Sequence, residues 1–163
     1  MRWEGVFEMY ERLAEKLEST TAVKWFPGRG AKEEWIAEAE AELGFSLPPS
    51  YRWWLKNYGS ATLSGTGILM LAPPDVREYT DTDILYIHRL NQDDEEWREQ
   101  YPHRLDLFVP DEDELYFFDT SAKDEQGEFP VMRYDLMNDL IEEYAPTFAG
   151  FLEQLIDKRS SVY

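Results

Sequence analysis

Cysteine is absent from this 163-residue sequence, and no apolar run is long enough to cross a membrane. The first absence excludes disulfide bonds, thiol catalysis and thiolate metal sites. A membrane-spanning helix needs about 18 or more consecutive apolar residues. The start, Met1-Arg2-Trp3-Glu4, carries alternating charge and leads into an amphipathic pattern, without the apolar run of a signal peptide. We therefore expect a soluble, cytoplasmic protein that does not bind membranes.

Basic residues are scarce: 16 stand against 34 acidic ones, a formal net charge of −18. The imbalance is concentrated in residues 75–128, which hold 18 acids and 5 bases. Such a field repels nucleic acid and attracts basic protein surfaces, through steering that salt weakens. The charge therefore predicts a basic protein partner and no nucleic acid. The alternative is that the surplus carboxylates only keep the domain soluble and monomeric.

Catalytic motifs are also missing. His88 and His103 are the only histidines, and there is no His-Glu-x-x-His or Gly-x-Ser-x-Gly motif. Gly65-Thr66-Gly67 lacks the lysine and the following helix of a phosphate-binding loop. We therefore predict a non-enzymatic protein without a cofactor. A carboxylate pair for glycoside hydrolysis stays open, because such pairs are defined by distance.

One acidic cluster, Asp111-Glu112-Asp113-Glu114, offers several oxygen ligands to a hard cation such as calcium. A calcium loop alternates its ligands and carries a glycine at its sharp turn, and this cluster has neither feature. It therefore predicts an exposed acidic hairpin, with no metal bound.

The remaining patterns predict one α+β domain over residues 1–163, with a mainly antiparallel sheet packed by about five helices. Apolar residues at helical spacing predict a first helix at 2–18 and a closing helix at 146–158. In the loop between the first two helices, Trp25 and Phe26 are expected to tuck into the domain. Strands are predicted at 68–71, 105–109, 115–119 and 129–134. Residues 75–104 favour helix at 84–87 and 93–100, although strand remains open for the first.

The clearest signals lie in residues 31–59. Glu33 and Glu34 suit the first turn of a helix, and Gly44 suits the left-handed position after its last turn. Pro48-Pro49 then opens a second helix, because proline is accommodated in a first turn. Gly59 is expected to end that helix.

This stretch resembles the N-terminal signature of the SUKH superfamily, I…E..LG..LP..Y..WL…YG. The resemblance extends to the strand ending in Asp119, the Pro130-Val131 strand and the Phe148/Phe151/Leu152 core of the last helix. The group contains bacterial immunity proteins of polymorphic toxin systems and a fungal cell-wall assembly regulator. Relatives often carry a glycine-aspartate turn where this chain has its acidic cluster at 111–114. None of the motifs is catalytic in the family, so the resemblance implies a fold more than a partner.

Tryptophan positions suggest interface anchors. Trp54 shares a helical face with Tyr51, Leu55 and Tyr58 and is expected in the core, whereas Trp53 is turned about 100° away and is expected to be partly exposed. Trp97 lies within the acidic stretch around 93–99. The predicted partner-binding residues are Trp53, Asp93, Asp94, Glu95, Glu96, Trp97, Asp111, Glu112, Asp113 and Glu114.

The resemblance and the charge together predict an immunity protein that occludes a basic toxin domain of the nuclease type. The rival hypothesis is a regulatory scaffold that binds client proteins without neutralising a toxin.

Overall fold

The structure is a computed structural model that describes residues 2–21, 23–24, 30–59, 62–63, 66–79, 82–107 and 114–160. The elements are α1 (Arg2–Ser19), β1 (Val23–Lys24), α2 (Glu33–Leu43), α3 (Pro49–Tyr58), β2 (Thr62–Leu63), β3 (Thr66–Gly67), a 3₁₀-helix (Pro74–Tyr79), α4 (Ile84–Gln92), α5 (Glu95–Gln100), β4 (Arg104–Asp106), β5 (Glu114–Asp119), β6 (Val131–Asp135), β7 (Leu140–Ala145) and α6 (Phe148–Ser160). The predicted α+β class with an antiparallel sheet is confirmed. The described residues hold six α-helices and one 3₁₀-helix, against the five or so expected.

The main sheet has four antiparallel strands in the order β4-β5-β6-β7. Its register sets Glu114 opposite Asp135, and Asp135 opposite Leu140. The β6–β7 turn therefore lies at the end of the sheet where β5 begins. A second, smaller sheet pairs β1, β2 and β3, each two residues long.

Alternation along β5 defines two faces of the main sheet, since successive side chains of a strand point to opposite sides. We call the Phe118 side the inner face and the Phe117 side the outer face. On the inner face, Tyr51 of α3 and Phe148 of α6 meet Phe118 with ring centroids 5.3 and 6.2 Å apart. The largest fully buried side chains are Trp54, Tyr51, Phe118, Phe129, Phe148 and Phe151. The core therefore lies between the inner face and these two helices.

The corner between α2 and α3 forms as the sequence predicted. Gly44 has a φ of 85° and its N–H donates to the Glu40 carbonyl at 2.9 Å, while Pro48 precedes the first residue of α3. The other end of α3 meets the chain before α2, where Ala31 N donates to Leu55 O at 2.7 Å. A Cβ on Gly30 would lie 1.6 Å from the Lys56 carbonyl oxygen, so only glycine fits this approach.

Residues 68–71 are buried as expected at Leu69 and Leu71, but they form no strand of either sheet. Leu69 N donates to Leu107 O at 2.7 Å, whereas Met70 forms an isolated parallel bridge with Asp83. The strand prediction is wrong because consecutive residues bond to different segments, which prevents a continuous ladder.

Several other predictions shift by a few residues. The Pro130-Val131 strand begins at Val131, and α6 begins at Phe148 because Thr147 caps it, its Oγ1 accepting from Gly150 N at 3.0 Å. Both predicted helices within 75–104 are confirmed as α4 and α5. The sequence reading missed β7 and the small sheet. Trp25, Phe26 and residues 108–113 lie outside the described residues.

Across the described part of the chain, no helix combines the length and apolarity needed to cross a membrane.

Candidate protein-binding surface

Four apolar side chains are exposed at the turn end of the hairpin of β6 and β7: two lie in the turn, and on the edge strand β7 Leu140 lies on the inner face and Ile141 on the outer face. Leu136, Met137, Leu140 and Ile141 are exposed to 43, 79, 51 and 42%. We call them the hairpin patch. Large apolar side chains clustered on a surface mark interaction sites more often than single exposed ones do. None of the four was singled out by the sequence reading.

The turn that carries the patch is held by its own polar side chains. Asp135 accepts from the backbone N–H of Met137 at 3.1 Å and from the side-chain amide of Asn138 at 2.7 Å. These hydrogen bonds, that of the Asn138 amide foremost, lower the pKa of Asp135. Asp139 adopts a φ of 51° and accepts from the Tyr134 hydroxyl, which raises the pKa of Tyr134 to about 12. The tip is therefore fixed by local bonds.

Carboxylates surround the hairpin patch. Glu142 and Glu143 are exposed on β7, and Arg133 Nη1 lies 2.9 Å from Glu142 Oε1. In the sheet register, the backbone of Glu114 is paired with that of Asp135. Since neighbouring strands are about 4.8 Å apart, the backbone of Glu114 lies about 10 Å from that of Leu140. The patch thus has an acidic rim.

The predicted acidic stretch at 93–96 leads into α5 and is exposed along its length. Asp94 is the N-cap, its Oδ1 accepting from Trp97 N at 3.2 Å, and Glu95 and Glu96 occupy the first turn. Trp97 is partly buried, with its ring 6.0 Å from that of Tyr101. The stretch therefore presents carboxylates to solvent beside a tryptophan that already has intramolecular contacts.

Arg104 holds α5 against the outer face of the sheet. Its buried guanidinium stacks over the rings of Trp97, Tyr101 and Phe117 at 5.5, 4.8 and 4.7 Å. Its Nε donates to Asp106 at 2.6 Å. The sequence did not point to this residue, because the three-ring cation–π site joins residues of α5 and its C-cap, β4 and β5.

The acids of α5 and part of the hairpin patch share one face. Leu115 pairs with Tyr134 and Tyr134 with Ile141, so all three lie on the outer face with Phe117. Trp97 approaches Phe117 through Arg104 on that same face. The structure therefore brings the 93–97 segment and Ile141 to one side of the sheet.

Trp53 lies elsewhere. It is partly buried, stacked on Tyr10 with centroids 5.0 Å apart, whereas Trp54 is fully buried. The predicted phase of α3 is thus confirmed. Because α3 packs on the inner face, Trp53 and α5 lie on opposite sides of the sheet. Its role as an anchor stays a prediction, and so do the roles of Asp111, Glu112 and Asp113, which lie outside the described residues.

A polar cleft of about 470 Å³ opens beside α4, lined among others by Glu42, His88, Arg89 and Asp93. Arg89 donates from Nε and Nη2 to the two carboxylate oxygens of Glu42, at 2.7 and 2.6 Å. His88 Nδ1 is buried and has no hydrogen-bond partner among the described residues, and burial lowers the His88 pKa. No three His, Asp or Glu side chains of the described chain are grouped to hold a metal ion.

The fold is thus an antiparallel sheet with its core-forming helices on one face and an acidic helix on the other. The family model SUKH_6, described as SMI1-KNR4 cell-wall, matches residues 33–152, from the first residue of α2 into α6. The chain belongs to this SMI1-KNR4 family of the SUKH superfamily, as the signature suggested. Proteins of the superfamily are immunity or regulatory proteins and not typical enzymes.

Proposed function

We propose that the protein is an immunity protein that binds a basic toxin domain of the nuclease class and occludes its phosphate-binding surface. In this proposal it acts in the cytoplasm as a monomeric single domain over residues 1–163. It needs no catalytic group, cofactor or metal, because complementarity of two surfaces is sufficient for inhibition.

The observation that carries the proposal is the acidic surplus of residues 75–128 in a member of a family of immunity and regulatory proteins. Three of the five bases of that segment are paired with acids, and only Arg98 and Lys123 are exposed without a salt bridge among the described residues. Arg77 and Arg104 are buried and paired with Asp83 and Asp106. Arg89 is paired with Glu42. The carboxylates that remain exposed, including all four at 93–96, therefore dominate the local field.

The mechanism is substitution of carboxylates for nucleic-acid phosphates. A nuclease binds phosphate through a positive surface, and the acidic segments 93–96 and 111–114 offer that surface negative charge in place of the phosphodiester backbone. Charges at the rim of an interface act mainly on the association rate. Dissociation is limited instead by apolar contacts. Of the two sequence-based candidates, Trp97 lies beside the 93–96 segment, whereas Trp53 lies on the other side of the sheet.

A second candidate function is a regulatory scaffold that gathers client proteins without neutralising a toxin. The description of the matched family model, which names the cell wall, favours it. Both functions require a protein partner, so they differ in the identity of the client and not in the type of surface.

The deciding experiment uses the C-terminal domain of the large protein encoded directly upstream of this gene. We expect a stoichiometric complex, loss of nuclease activity in proportion to the protein added, and weaker binding as salt rises from about 0.05 to about 0.5 M. Full nuclease activity at saturating protein refutes the immunity function. An upstream gene that encodes no toxin favours the scaffold.

A further inference from the structure

The turn between β6 and β7 is unusual in what it exposes. A four-residue turn that only reverses the chain is typically built from glycine, asparagine and aspartate. Here residues 136–139 begin with Leu136 and Met137, and Met137 is 79% exposed. Neither residue belongs to the hydrophobic core of the described chain. Folding therefore gives no reason for apolar side chains at this tip.

The tip is also ordered before any partner arrives. Asp135 accepts hydrogen bonds from Met137 N, Asn138 N and Asn138 Nδ2, and Asp139 accepts from Tyr134. An apolar side chain presented from a fixed backbone loses less conformational entropy on binding than one on a flexible loop. Because these hydrogen bonds hold the turn in place, the hairpin patch is suited to act as an apolar anchor in a protein interface.

Charge selects the occupant. Asp135, Asp139, Glu142 and Glu143 lie in or next to the patch. Arg133, the one basic residue of the hairpin formed by β6, its turn and β7, is paired with Glu142. A second copy of this chain would bring the same acids together, so self-association through the patch is disfavoured. A cationic surface with an apolar side chain between its basic groups matches both the apolar side chains of the patch and the acids next to them.

Pairing of a partner strand with β7 is less suited to the structure than contact with the patch. Gln154 of α6 donates to the Tyr144 carbonyl at 3.3 Å and covers that end of the edge strand. The exposed side chains lie at the other end, around the turn.

We infer that the hairpin patch of Leu136, Met137, Leu140 and Ile141 is the apolar anchor of the partner interface, and that its occupant is a cationic, apolar-centred protein surface. The inference rests on the proposed function only in assuming that this protein binds a protein partner. It assigns the anchor to residues outside the acidic segments and tryptophans named from the sequence.

The test uses two synthetic peptides of about eight residues, one alternating lysine with leucine and one alternating lysine with serine. Both peptides carry the same charge, and only the first has apolar side chains that can contact the hairpin patch. The variant is Met137→Gln with Leu140→Gln, and the matched control is Leu90→Gln, since Leu90 on α4 is exposed to 48% and Leu140 to 51%. Thermal unfolding confirms that each variant folds, and fluorescence anisotropy measures affinity.

We expect the lysine-leucine peptide to bind the wild type about tenfold more tightly than the lysine-serine peptide, and the double variant to abolish that difference while Leu90→Gln keeps it. Equal binding of the two peptides to the wild type overturns the inference. So does an equal loss in the control. A wild-type dimer that the double variant dissociates also overturns it, because the occupant is then a second copy.

The upstream toxin domain separates this inference from the proposed function. A domain that binds wild type and double variant equally removes the anchor and leaves the immunity function intact. If the toxin domain binds neither the wild type nor the double variant, while the wild type still prefers the lysine-leucine peptide, the immunity function is refuted and the hairpin patch remains supported as an apolar anchor.

Discussion

The buried carboxylate of Asp83 joins three segments, and replacing it should destabilise the protein more than the loss of an exposed helix cap such as Asp94. Its Oδ2 accepts from Ala72 N at 2.7 Å and from Arg77 Nε at 3.1 Å, and its Oδ1 accepts from Tyr86 N at 2.8 Å. Asp83 is fully buried and the Arg77 side chain is 5% exposed. The perturbation is Asp83→Ala.

The magnitude follows from what the substitution leaves behind. Arg77 keeps its bond to the Ala72 carbonyl at 3.1 Å but becomes a buried charge without a counter-ion. Breaking a buried ion pair by removing one partner costs about 3–5 kcal/mol. The lost cap at Tyr86 N is worth about 1 kcal/mol by itself, but bonds to one carboxylate are not additive. We expect a loss of about 4 kcal/mol in the free energy of unfolding.

The assay is urea unfolding of Asp83→Ala beside Asp94→Ala. Asp94 caps α5 in the same way, through Trp97 N at 3.2 Å, but it is exposed, whereas Asp83 is buried and paired with Arg77. Its loss should cost about 0.5–1 kcal/mol. At this chain length, about 4 kcal/mol corresponds to a fall in Tm of about 10 °C. Equal losses in the two variants would refute the reasoning, because burial and the Arg77 pair would then contribute nothing.

Trp54→Ala should lower the free energy of unfolding by about 3–5 kcal/mol, since Trp54 is fully buried, whereas Trp53→Ala should lower it much less. Urea unfolding of the two variants measures both losses, and losses of similar size would contradict the assigned phase of α3. Burial raises the pKa of Glu128, so the folded state binds its proton more readily and the stability it contributes is present at low pH and lost as pH rises through the raised pKa. Wild type should therefore gain stability over Glu128→Gln as pH falls from about 7 to about 4, and a constant difference argues against this. Neutralising residues 93–96 to Asn or Gln should slow association with the toxin domain and flatten its salt dependence without lowering Tm, as stopped-flow mixing and a thermal melt can show.

The helical part of the fold was predictable because its signals are local. Gly44 ends α2 through its own backbone conformation, and Pro48 precedes α3 as proline does at helix starts. Strand β7 was not predictable in this way. Leu140-Ile141-Glu142-Glu143 shows no alternation, and its pairing with β6 is interrupted by a register shift at Val131/Met132. Where a strand lacks the period of two, only its neighbour identifies it.

The acidic character of the surface could also be taken from the sequence, but its arrangement could not. The sequence shows that carboxylates occur at 93–96 and 111–114, but it does not give the distance between the two segments or their distance from the hairpin. The register of β5, β6 and β7 decides that Glu114 begins its strand across from the turn that exposes Met137. The hairpin patch was missed for the same reason, because burial is a property of the assembled fold.

The α2–α3 corner and the inward face of α3 could be derived from the sequence, since each depends on residue types within a few positions of one another. The sign of the charge needs only a count of side chains, and the family needs only the order of its motifs along the chain. The tertiary structure alone decided that Trp53 and α5 lie on opposite faces of the sheet, that Arg104 stacks among three rings, and that Met70 bridges to Asp83 instead of continuing a strand. These features join residues distant in sequence, and their energies depend on distances that no local pattern encodes.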